Sequence, residues 1–209
     1  RKLFHSDGLR YAVITSVTRD DLVDGGASHF VATMAAIRQR QPQVLIEVLI
    51  PDLKGDRDAL DVILAAGPDV LNHNIETVPR LYPTVRPQAN YTRSLELLGR
   101  VKESYPQMVT KSGLMVGLGE TIAELEKTWQ ELRKVHCDIL TMGQYLQPSA
   151  NHLEVERFVP PEEFKELETQ AAGFGFAGVA SGPFVRSSYE AEKLYRKAAR
   201  RLREGSHKS

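Results

Sequence analysis

The sequence predicts an α/β fold: a partial TIM-type (βα)6 barrel of parallel strands with outer helices. Three observations lead there. Short apolar runs rich in β-branched residues alternate six times with segments of helical spacing. Most of those runs leave through polar or glycine-rich turns, as at residues 72–76, 117–120 and 143–148, rather than at one crevice. The first strand-to-helix turn also lacks the G-x-G-x-x-G pattern of a dinucleotide-binding sheet.

Residues 11–16 read as the first strand and 27–40 as the first helix, with Phe30, Met34 and Ile37 at helical spacing and Pro42 closing it. A strand at 44–50 and a helix at 58–66 follow. The third strand begins at Asp69 after Gly67-Pro68 and turns polar through Asn72-His73-Asn74-Ile75-Glu76. Pro79, Pro83 and Pro87 forbid one regular helix in the next segment, and helical spacing resumes over 91–103. The fourth strand covers 108–116. Thr121 with Glu124 forms a capping box for a helix reaching Val135. A fifth strand at 139–142, a helix opened by Pro160-Pro161, a sixth strand at 176–180 and a basic helix over 189–203 complete the chain. The domain reading is an irregular segment 1–10 ending in the Asp7-Gly8 turn, a part-barrel 11–189, and a C-terminal helix 190–209 with a frayed tail.

With 209 residues the chain can bury one substantial core. Its 27 basic and 27 acidic residues cancel, giving no electrostatic case for nucleic acid or an anionic membrane. No apolar run is long enough to span a bilayer, and no signal-peptide core is expected. The single cysteine, Cys137, excludes a disulfide framework and any metal or cluster site built from cysteines of this sequence alone.

Candidate chemistry gathers at the strand exits. Along a strand, Asn72, Asn74 and Glu76 point the same way, and two amides with a carboxylate are costly to bury unpartnered. Capping of the next loop explains them equally well when they are taken alone. Lys111 lies inside an apolar strand on the face of Val109, Gly113 and Met115, so it needs an anion or an altered protonation state; Glu76 or a ligand carboxylate near it is the expected partner, and an edge strand with Lys111 in water is the plainer alternative. Asp20, Asp21 and Asp24 could bind a hard cation, but a solvated loop turning at Gly25-Gly26 is the preferred reading. Gly117-x-Gly119 alone is a weak signal. His73 reads as a packing histidine, Cys137 as a buried thiol and Trp129 as core.

The longer motifs resemble lipoyl synthase. They are Ile14-Thr15-Ser16-Val17-Thr18-Arg19-Asp20-Asp21-Leu22 with Gly25-Gly26, then Asn72-His73-Asn74-Ile75-Glu76-Thr77, then Thr110-Lys111-Ser112-Gly113-Leu114-Met115-Val116-Gly117-Leu118-Gly119-Glu120-Thr121. Gly143-Gln144-Tyr145-Leu146-Gln147-Pro148 and Arg186-Ser187-Ser188-Tyr189 follow in register. That resemblance implies a radical S-adenosylmethionine enzyme that inserts two sulfurs into an octanoyl chain. The chain is carried on a lipoyl carrier domain or a glycine-cleavage H-type protein. One [4Fe-4S] cluster cleaves S-adenosylmethionine to a 5′-deoxyadenosyl radical, and a second is consumed as the sulfur source.

By resemblance, Gly25 and Gly26 meet the methionine end with their backbone and Asn74 and Glu76 face the ribose or amino acid, with Asn72 and Lys111 in the same cofactor-binding set. Gly117, Gly119, Glu120, Tyr145 and Leu146 bound the adenine. Ser188, aided by Arg186, is the non-cysteine ligand to the sulfur-donating cluster, while capping of the last helix by Ser187 or Ser188 is the plainer alternative.

Two departures stand out. The family's cysteine triplets and first strand precede residue 11, where this sequence has ten residues and no cysteine, and Glu190 replaces a usual histidine. The chain as written is therefore expected to build neither cluster and to be inactive alone, through truncation or a segment dropped from the numbering. A monomer is expected, cytoplasmic or, in a eukaryote, organellar. Two other functions fit the residues: a cluster-free module binding an adenosyl ligand or the carrier, and a barrel lyase using Lys111 as a Schiff base.

Overall fold

A computed structural model describes residues 9–206, so the Asp7-Gly8 turn and the tail beyond Ser206 lie outside the described residues. Six strands form one sheet in sequence order: β1 Tyr11–Thr15, β2 Leu45–Leu49, β3 Val70–Asn72, β4 Val109–Val116, β5 Ile139–Gln144 and β6 Gly178–Gly182. Every neighbouring pair is parallel. The helices are α1 Ala27–Arg40, α2 Arg57–Ala65, the short α3 Tyr82–Val85, α4 Tyr91–Ser104, α5 Ile122–Lys134, α6 Pro161–Gly173 and α7 Ala191–Ser206.

Local chemistry explains the boundaries. Asp56 caps α2 through the N–H groups of Asp58 and Ala59, and Asn90 caps α4 through Arg93. The Thr121–Glu124 capping box forms as expected. Two strands differ from expectation. β5 runs on to Gln144, and β6 starts at Gly178 because the Asp138 carbonyl accepts from the N–H groups of Ala177 and Gly178, bringing Ile139 opposite Gly178. Phe176, expected in the strand, packs instead into the core beneath the outer helices.

Side-chain alternation sorts the sheet into two faces. Ile46, Val48, Leu71, Leu114, Leu140 and Met142 join the helices in the large outer core, which includes the fully buried Trp129. Val70, Val109, Ile139 and Ala180 join Leu194 and Ala198 of α7 in a smaller core on the other face. α7 touches β4, β5 and both edge strands, β1 and β6. One helix can do so only if the sheet curls around it. The sheet is therefore an open part-barrel with α7 against its concave side.

Candidate functional site

The concave face carries a buried polar network that begins at Glu47, in the middle of apolar β2. Parallel register puts Asn72 beside Lys111. Asn72 and Lys111 both reach the Glu47 Oε1, at 2.7 and 3.0 Å, and Tyr11 of β1 donates to Oε2 at 2.7 Å. Glu47 and Lys111 are both fully buried. Burial, then the Glu47 carboxylate, pushes the Tyr11 hydroxyl far above its ordinary pKa. The expected partner of Lys111 was Glu76; the structure supplies Glu47 instead. Glu47 carries the same signal as Lys111, a charge inside a strand of apolar residues, and sequence reasoning passed over it.

Above this layer the chain leaves β3. His73 turns outward: its Nδ1 lies 2.9 Å from the Ile50 carbonyl and its Nε2 2.9 Å from Ser94 Oγ, so it is the satisfied packing histidine expected. A carbonyl can only accept, so Nδ1 carries the proton and Nε2 accepts from Ser94. Asn74 turns inward and donates to Glu76 and to Ser187 Oγ, both at 3.1 Å. Glu76 adopts a left-handed φ of 67° that bridges it to Leu114 of β4. Burial raises its pKa, against the opposing pull of Arg86 and Asn74. Only Asn74 donates to its side chain among the described residues, which leaves acceptor capacity free. The Asn72 amide oxygen is buried with no partner among the described residues.

The turn after β6 folds back onto this face. Lys111 donates to the Ser187 carbonyl, and Val185 is buried in the concave core. Glycine makes the approach possible, since a Cβ on Gly143 would collide with the Val185 carbonyl. Ser187 points inward to Asn74. Ser188 is exposed and opens onto a groove of about 700 Å³ beside Tyr11, Val13 and Lys193, with no side-chain hydrogen bond among the described residues. Arg186 is exposed and donates to the Val185 carbonyl. Among the described residues neither serine hydroxyl bonds to the first turn of α7, where the Leu194 N–H donates to the Glu190 carbonyl.

The remaining predicted residues lie on the rim and are largely occupied by their own loops. Glu120 accepts from the N–H groups of Gly117 and Leu118, and Gly117, at φ 93°, lies beneath the Arg157 carbonyl and Gln144. Gly119 is exposed, as is Leu146, while the Tyr145 hydroxyl donates to the Leu153 carbonyl from the outer core. Gly25 and Gly26 both take positive φ; the Gly26 N–H is held by Asp24, which also accepts from the Ser28 N–H in the first turn of α1 and has its pKa lowered to about 2, first by the Ser28 side chain and then by those N–H groups. Asp21 pairs with Arg19 and Asp20 with Lys54. No group of three or more His, Cys, Asp and Glu among the described residues is arranged to hold a metal ion. The aspartates of this loop are engaged by its own N–H groups and by exposed cations. The Schiff-base reading of Lys111 loses its footing: its amine is buried and committed to Glu47 and Ser187.

Comparison with known proteins fits this frame. The family model for the Radical SAM superfamily matches residues 1–132. The chain belongs to the radical SAM superfamily. Lipoyl synthase of Desulfotalea psychrophila is 68% identical over 191 residues, covering 91% of this chain and 64% of that protein. Lipoyl synthases of Nitrosococcus oceani and Chlorobium chlorochromatii are 58% and 60% identical, covering 89% and 88% of this chain and 58% and 62% of their own lengths. The chain thus spans roughly three-fifths of these curated relatives. Among solved structures, methylornithine synthase (PylB) superposes with a TM-score of 0.58 at 14% identity over 96% of this chain and 68% of its own. A domain of pyruvate-formate lyase-activating enzyme from Bacteroides vulgatus gives 0.56 at 11% identity, over 81% of this chain and 98% of its own. These two share the fold.

Proposed function

We propose that this chain is the S-adenosylmethionine- and substrate-facing part-barrel of a lipoyl synthase, a sulfur-inserting enzyme acting on an octanoyl chain carried by a lipoyl-type protein domain. The observation that carries the reading is the 68% identity to a lipoyl synthase over nine-tenths of the chain. The concave face is chemically suited to it. S-Adenosylmethionine brings an ammonium, a sulfonium and two ribose hydroxyls, all of which seek acceptors. Among the described residues, Glu76 has carboxylate capacity to spare and the Asn72 oxygen has no partner. In this reading Glu76 and Asn74 take the ribose or amino group, Gly25 and Gly26 flank the methionine end, and Gly117 to Glu120 with Tyr145 and Leu146 border the adenine. When cleaved, the bound cofactor supplies the hydrogen-abstracting radical; the chain's own part is to orient it and exclude water.

An iron–sulfur cluster does not fit the residues of this sequence alone. Its one thiol, Cys137, is fully buried, and burial, then Asp138, pushes its pKa up to about 12, so it is no thiolate donor. In this reading the oxygen donor offered to such a group is Ser188, whose hydroxyl is exposed while that of Ser187 is engaged by Asn74. A hard oxygen holds a soft iron–sulfide site less firmly than a thiolate, which suits a cluster that gives up sulfur.

The test is calorimetric titration of the chain with S-adenosylmethionine. Glu76→Gln is expected to weaken binding by at least tenfold, the scale of a lost hydrogen bond to a charged group, and Asp20→Asn to leave it unchanged. Equal affinities for the two variants would overturn the assignment of Glu76. The whole-protein activity is tested on a chain of the relatives' length, with an octanoylated carrier domain, by mass detection of the sulfur-inserted product. Absence of that product alongside intact S-adenosylmethionine binding would leave a binding module and refute the synthase.

A further inference from the structure

We propose that the buried Lys111–Glu47 pair is a positioning device, holding the turn at 183–188 across the barrel mouth through the Ser187 carbonyl. A buried ion pair is weak evidence of stabilisation, because apolar residues of similar size usually serve as well. This pair does something an apolar pair could not. Tyr11, Asn72 and Lys111 together satisfy both Glu47 oxygens, and Lys111 still has a donor to spare. That donor goes to a backbone carbonyl 76 positions away in the chain.

Two independent features mark the same docking. Asn74 grips the Ser187 hydroxyl at 3.1 Å. On the strand beneath, Gly143 is the residue type that lets the Val185 carbonyl approach, and on β6 a Cβ at Gly182 would press on the Val185 side chain at 3.2 Å. The turn is thus pinned at three points on two residues: Val185 by packing, the Ser187 carbonyl by charge and the Ser187 hydroxyl by an amide. With Ser187 pinned inward, Ser188 faces the groove beside β1. Lys111 therefore acts through the turn, setting which serine faces which way, and this holds whatever ligand the mouth takes.

Hydrogen exchange on the full chain tests it, read at the amides of Val185 and Tyr189, which are hydrogen-bonded within the turn. Lys111→Met is expected to speed their exchange at least tenfold while β4 and β5 amides keep wild-type protection. Since that variant leaves Glu47 without its cation, the neutral double variant Glu47→Gln/Lys111→Met decides the matter if the single one fails to fold. The control is Lys102→Met, which breaks the other buried pair, Lys102–Asp138 at 2.6 Å. It is expected to lower global stability and leave turn protection as in the wild type. A folded Lys111 variant whose turn amides exchange at the wild-type rate would overturn the proposal. So would equal release of the turn by Lys102→Met.

Discussion

His73 gives the chain a measurable acid sensitivity at the exit of β3. Its ring is almost wholly buried, its Nδ1 proton goes to the Ile50 carbonyl and its Nε2 accepts from Ser94. Burial is the main reason its pKa falls from 6.5 to about 4, with the Ile50 bond and Asp52 pulling up and Arg86 pushing down. The unfolded chain takes up a proton near 6.5, while the folded chain resists until about 4. Protons therefore favour the unfolded state across that window. The stability His73 contributes is complete above pH 6.5 and is lost as pH falls towards about 4. At about 1.4 kcal/mol per pH unit, the gap amounts to on the order of 3 kcal/mol.

The comparison is with His73→Gln, which keeps a donor for Ile50 and cannot titrate. Urea unfolding of both proteins at several pH values between 7.5 and 4, followed by the fluorescence of the single tryptophan, Trp129, isolates the histidine from the carboxylates both share. The wild-type stability minus that of the variant is expected to be flat above pH 6.5 and to fall by about 3 kcal/mol by pH 4. A difference constant to within about 0.5 kcal/mol over the whole range would refute the reasoning, since it would mean the folded ring titrates like a free one.

Three further outcomes are expected. Gly143→Ala should release the Val185 turn, seen as faster exchange at Val185 and Tyr189 with the Glu47–Lys111 pair intact, because the added methyl meets the Val185 carbonyl. Trp129→Phe should cost under about 1.5 kcal/mol in urea unfolding, far less than the roughly 3–5 kcal/mol of Trp129→Ala, because phenylalanine fills most of the space and the buried indole N–H has no partner among the described residues to lose. In a chain of the relatives' length, Ser188→Ala should still cleave S-adenosylmethionine but lose sulfur insertion, with Ser187→Ala retaining more of it; the reverse order would transfer the role to Ser187.

The alternation of strands and helices was legible because each element writes its own local signal. The Thr121–Glu124 box, Pro42 and the apolar spacing of α1 need no knowledge of the rest of the chain. β6 was misplaced by two residues because Gly178 and Gly182 carry no hydrophobic signature; their reason lies in Leu194 and Val185, which a local reading cannot see. Lys111 was legible as a buried charge, but its partner was not. Glu76 lies nearer in sequence and shares the motif-rich exit, whereas Glu47 is set by parallel register two strands away. Tyr145 shows a bend that alternation cannot foresee. Alternation would send it inward with Gly143, yet the chain bends after Gln144 and its hydroxyl finds the Leu153 carbonyl outside.

The choice between Ser187 and Ser188 shows what geometry adds to a motif. In the sequence the two serines are adjacent and chemically identical, so nothing local separates them. Their difference is imposed from β4, where Lys111 takes the Ser187 carbonyl, and from the β3 exit, where Asn74 takes its hydroxyl. A hydroxyl already bonded to a half-buried amide must break that bond to serve a ligand, at a net cost of about 1 kcal/mol. The Ser188 hydroxyl has no such bond to break among the described residues. Any group that approaches from the groove between β1 and α7 therefore meets Ser188 first and at lower cost. The buried charge on β4, costly in itself, acts on the surface two residue layers away by deciding which of two equal side chains is free.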